Sequence, residues 1–73
     1  MFRKFKVGDY VKVIAKDTEY TRIYFGIVGI ISNVQSYNRY GIYVKINEID
    51  RTFEKRELML VSTNPNNKII TQL

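Results

Sequence analysis

Gly41-Ile42-Tyr43-Val44-Lys45-Ile46-Asn47 decides how the rest of the chain is read. Ile42, Val44 and Ile46 fall on one side of a period-two pattern, with Tyr43 and Lys45 on the other, which is the signature of a half-buried strand. Toward the amino terminus, Ser36 to Tyr40 reads as a hairpin loop, with Asn38 suited to a left-handed conformation. Before it, Gly26 to Val34 predicts a strand, and the glycines Gly26 and Gly29 mark a sharp bend or a close backbone approach. Lys16 to Phe25 is a polar stretch, in which Asp17 is expected to cap one helical turn through Thr21. Tyr10 to Ala15 predicts the first strand, with Val11 and Val13 in the core. Gly8-Asp9 forms the turn that leads into it, and Val7 is expected beneath the same core. Toward the carboxyl terminus, Asn47 to Asp50 predicts a turn. Arg51 to Phe53 is then a short strand with Phe53 inward, Glu54 to Leu58 a 3-10 turn, and Met59 to Val61 a closing strand. Residues 1–61 thus make one domain, and 62–73 a polar tail expected to be flexible, whose apolar residues are Ile69, Ile70 and Leu73.

Composition supports the strands. Ten Ile, seven Val, six Tyr and four Phe stand against three Leu and one Ala, a bias toward residues that fit a pleated surface. Five short strands in so small a chain predict an all-β fold: a small five-stranded, partly open barrel with one short helical or 3-10 turn. The 73 residues contain no Cys and no His. Disulfides, thiolate or imidazole metal sites, and Ser-His or Cys-His nucleophile pairs are therefore excluded. The longest apolar run, Ile27 to Ile31, is far short of the roughly 20 residues of a membrane helix. The basic start Met1 to Lys6 has no apolar region behind it, so no signal peptide is read. A cytoplasmic protein with no membrane partner is the expectation.

The order Val7-Gly8-Asp9-Tyr10-Val11-Lys12-Val13, Gly26-Ile27-Val28-Gly29-Ile30-Ile31, Tyr40 to Ile46, and Phe53 followed by Glu57-Leu58 resembles SH3-like barrels of the KOW and photosystem I subunit IV type. Within that group the chain also looks like the YorP-like family of small bacterial and prophage proteins of unassigned function. The resemblance covers about residues 6–61. It implies an SH3-like barrel and a phage or prophage context, and no activity. The chain departs from photosystem I subunit IV in having Tyr20-Thr21-Arg22-Ile23-Tyr24 where that protein has a tryptophan near its first loop. It also lacks the acidic loop and tryptophan with which signalling SH3 domains bind proline-rich peptides.

The formal net charge is +5, but it is unevenly spread. Residues 1–12 carry Arg3, Lys4, Lys6 and Lys12 against Asp9, and the remainder is close to neutral. This describes a basic arm that could meet phosphates or simply aid solubility. Tyr20, Tyr24, Tyr37 and Tyr40 lie in or beside predicted loops, interleaved with Arg22 and Arg39, and Tyr43 points outward from its strand. Such tyrosines can plug barrel ends. Beside arginines they can also form a protein contact or stack on bases. The candidate binding surface is therefore Arg3, Lys4, Lys6, Tyr20, Arg22, Tyr24, Tyr37, Arg39, Tyr40 and Tyr43. The carboxylate pairs Asp17/Glu19, Glu48/Asp50 and Glu54/Glu57 have Lys16, Arg51, Lys55 and Arg56 nearby, and read as surface ion pairs. Gly26-x-x-Gly29 lacks the lysine and longer spacing of a phosphate loop. The sequence expectation is a non-enzymatic binding or accessory module without cofactor, metal or small-molecule substrate. A protein is its first expected partner, and nucleic acid the alternative.

Overall fold

A computed structural model of the chain describes residues 5–63. Five antiparallel strands form one sheet: β1 (Tyr10–Val13), β2 (Val28–Val34), β3 (Ile42–Ile46), β4 (Ile49–Phe53) and β5 (Leu58–Ser62). Their order is β4-β3-β2-β1-β5. Consecutive strands β1 to β4 therefore form a meander, and β5 returns to pair with β1. A short helical stretch, α1 (Glu19–Tyr24), joins β1 to β2, and a 3-10 turn (Lys55–Glu57) joins β4 to β5.

The sheet curls around one core, with β4 and β5 as its two edges. Val11 and Val13 of β1, Ile31 of β2, Ile42, Val44 and Ile46 of β3, Phe53 of β4 and Leu58 of β5 form one buried cluster. All five strands thus give one face to a shared core, which a flat sheet cannot do. Two register shifts supply the bend, one in β2 between Ile31 and Asn33 and one where β1 meets β5 at Tyr10/Val11. An extra residue in one strand of a pair increases local twist and curves the sheet. At Gly29 the strands approach so closely that a Cβ would lie 2.6 Å from Val44 Cγ1 and 2.7 Å from the Lys45 carbonyl oxygen. Gly29 is thus the close backbone approach expected of a glycine in this strand, whereas the register shifts lie elsewhere and Gly26, at φ 84°, precedes β2 with open space around its Cβ position. The result is a small all-β, partly open barrel.

Local details differ from the sequence reading where tertiary contacts act. Thr18, not Asp17, caps α1: its hydroxyl accepts from the Thr21 N–H at 3.0 Å, and the Thr21 hydroxyl accepts from the Thr18 N–H. Asp17 instead pairs with Arg56 across the fold. Val7 is 53% exposed and lies outside the core, whereas Asp9 is fully buried and accepts the Lys6 N–H. Among the described non-glycine residues, the left-handed positions are Asn47 and Glu48, not Asn38. These two residues connect Ile46 to Ile49, which are paired, as expected of a tight hairpin turn whose twist matches its strands. Asn38 uses its side chain instead, and its Oδ1 accepts from the Tyr40 N–H. The last strand runs through Ser62, one residue past the expected domain boundary. Residues 64–73 of the expected flexible tail lie outside the described residues, as do Arg3 and Lys4 of the basic arm.

Candidate functional site

The segment Thr52 to Glu57 gathers the loops at one end of the barrel. From the α1 side, the Tyr20 hydroxyl donates to the Thr52 carbonyl at 2.8 Å, and Asp17 accepts from Arg56 at 3.1 Å. From the β2–β3 loop, Arg39 donates to Glu54 at 3.1 Å. Arg56 also lies 3.5 Å from Glu54 and 3.7 Å from Glu57. The charges thus form a linked set spanning three separate parts of the chain.

Aromatic rings fill the space under α1. Tyr20 and Tyr24, one helical turn apart, share a face, and both pack on buried Phe53 with ring centroids 5.4 and 6.0 Å away. The two tyrosines meet edge-on at 5.3 Å. Their reading as plugs of the barrel end therefore agrees with the packing, although Tyr20 keeps 39% of its surface exposed. Burial pushes the Tyr20 phenol up from its ordinary value, opposed by its bond to Thr52. The guanidinium groups of Arg39 and Arg56 are raised by their bonds to Glu54 and Asp17 respectively.

The other predicted residues distribute as follows. Tyr37 is 86% exposed at the tip of the β2–β3 loop, and Tyr40 lies beneath the Arg39 guanidinium, 5.5 Å from it. Beside this loop is a cleft of about 170 Å³ with an apolar floor of Phe5, Val34 and Ile42 and a rim that includes Arg39 and Lys55. Tyr20, Tyr24, Tyr37, Arg39 and Tyr40 are therefore brought to one end of the barrel. Arg22 is exposed on α1, two residues from each tyrosine, and so on the opposite side of the helix. Tyr43 is half-buried on the outer face of β3, opposite Thr52, and Lys6 is exposed ahead of β1.

Three contributors take roles that the sequence did not assign them. Glu57 is buried and accepts the Glu54 N–H at 2.9 Å, so this carboxylate holds the 3-10 turn in addition to its ion pair with Arg56. Its signal was the three-residue Glu-x-x-Glu spacing ahead of an apolar run. Arg51 pairs with Val44 and so shares the core face of edge strand β4. Its guanidinium lies 5.5 Å from the Tyr24 ring, and its Nε is buried without a hydrogen-bond partner. Phe5 is the third, as a wall of the cleft. Asp50, read as one of an ion-paired carboxylate pair, accepts from the Ser32 hydroxyl at 2.9 Å.

Among the described residues no group of His, Cys, Asp and Glu is placed to hold a metal ion, and no helix is long and apolar enough to cross a membrane. Compared with known protein families, with characterised proteins and with solved structures, the chain matches none.

Proposed function

We propose that this chain is a non-enzymatic, SH3-like binding module that meets a protein partner at the end of the barrel formed by α1, the β2–β3 loop and the 3-10 turn. The observation that carries this reading is the convergence of Tyr20, Tyr24, Arg39 and Tyr40 around Thr52 to Glu57, with exposed Tyr37 beside an apolar-floored cleft. Tyrosine and arginine are over-represented where protein contacts concentrate their energy. Tyr20, Tyr24 and Arg39 are already held by ring packing on Phe53 and bonds to Thr52 and Glu54, which lowers the ordering cost of binding.

Tyr37→Ala tests the reading, because so exposed a side chain has no packing role. A partner captured by the full chain should survive nuclease treatment and be lost or weakened with Tyr37→Ala. Loss of the partner on nuclease treatment alone would instead favour nucleic acid.

A further inference from the structure

The outer surface of the sheet is divided. Over β3 and β4 it carries Tyr43, Lys45, Asp50 and Thr52, ordinary for a solvated face. Over β2, β1 and β5 the register sets Lys12 between Val28 on one side and Met59 on the other. Tyr10 is paired with Ile30 in the adjoining row, and Val61 occupies the irregularity between Tyr10 and Val11. Val28, Met59 and Val61 are 49%, 46% and 50% exposed, and Ile14 just beyond β1 is 43% exposed. An antiparallel strand with one solvated face alternates apolar and polar residues. β2 and β5 instead carry apolar residues on both faces, the pattern of strands covered on both sides.

We infer that the outer face of β5–β1–β2 docks an amphipathic helix of another protein, with a carboxylate in its apolar stripe meeting Lys12. From Val28 to Met59 the patch spans two strand spacings, about 9.6 Å, close to the diameter of one helix, about 10 Å. Lys12 is the one charged residue among these described outward positions of β1, β2 and β5, and among the described residues no acidic group pairs with it. That charge selects among occupants. Residues 64–73 of this chain contain no Asp or Glu. A second copy related by a two-fold axis on this patch would present Lys12 with another Lys12. A helix carrying a carboxylate neutralises the lysine while its apolar residues cover Val28, Met59 and Val61. This surface is separate from the loop end proposed above.

The test uses the full chain and a synthetic amphipathic helical peptide whose leucine stripe is broken by one central glutamate. A second peptide carries lysine at that place. In NMR titrations the glutamate peptide should shift the Met59 methyl and the amides of Lys12, Val28 and Val61. The Tyr37 to Tyr40 amides should stay fixed, which separates this site from the loop end. Lys12→Glu should weaken the glutamate peptide about fivefold and strengthen the lysine peptide. Any of four results would overturn the inference: absence of binding, shifts confined to another surface, equal affinity for the two peptides, or a Met59 methyl already shielded in the free chain by residues 64–73 or by dimerisation.

Discussion

The β3–β4 hairpin and the β5–β1–β2 half of the barrel solve the same core problem and differ on the outside. In β3 and β4, inward residues that are apolar except for Arg51 alternate with outward Tyr43, Lys45, Asp50 and Thr52, and the turn between the strands is two residues long. In β2 and β5 the apolar residues occupy both faces, leaving Val28, Met59 and Val61 half exposed. The core alone does not explain the second pattern, because the core is already filled by the inward set. An apolar outer face beside a complete core is a surface for association.

The largest effect should come from what the two halves share. Val44 of β3 and Val13 of β1 are both essentially inaccessible. Val44→Asp or Val13→Asp buries an unpaired carboxylate and should cost more than about 4 kcal/mol, enough to unfold so small a domain. Loss of the β-type circular dichroism spectrum is the readout, and retention of a folded protein by either variant would break the picture of one joint core.

Next is the seam. Gly29 lies in β2, the strand of its half that pairs with β3, and an added methyl group would press on Val44 and on the Lys45 carbonyl. Gly29→Ala should destabilise by about 1–3 kcal/mol in urea unfolding. A smaller change would show that the strands can part there without cost.

Within the hairpin, Glu48 adopts φ 68°, a conformation that disfavours side chains. Glu48→Gly should stabilise by about 1 kcal/mol, seen as a higher urea midpoint, because Asn-Gly suits this turn. On the other half, Met59→Thr and Val61→Thr should change the stability of the isolated chain by no more than about 0.5 kcal/mol, since both residues already face outward. A large loss from either would mean that its side chain supports the core and would remove the distinction drawn here.

The smallest effect concerns pH. The Tyr20 phenol has a raised pKa in the folded state, so between the unfolded and folded values the native chain holds more protons than the unfolded one. The stability this group contributes is complete below its unfolded value of about 10 and declines as pH rises through the folded value. Tyr20→Phe should therefore flatten the alkaline fall in stability relative to the parent chain. Urea midpoints at pH 9 and pH 11 would compare them, and equal alkaline falls would refute the effect.

The sequence by itself determined the strand content and most of the core. Val11, Val13, Ile42, Val44, Ile46 and Phe53 are all buried as their alternation required. Period-two patterning records which face turns inward because every second side chain points the same way. The close approach of strands at Gly29 was also legible, since glycine within a strand marks such a site. Only the tertiary structure decided which distant groups meet. Asp17 with Arg56, Arg39 with Glu54 and Tyr20 with Thr52 join residues 39, 15 and 32 positions apart, and no local pattern encodes such pairs. It also decided that Asp9 and Glu57 are buried while Val7 is exposed, because a carboxylate can go inside once backbone N–H groups satisfy it. The tyrosines and arginines were visible as residues, but their convergence at one end of the barrel follows from how the strands close.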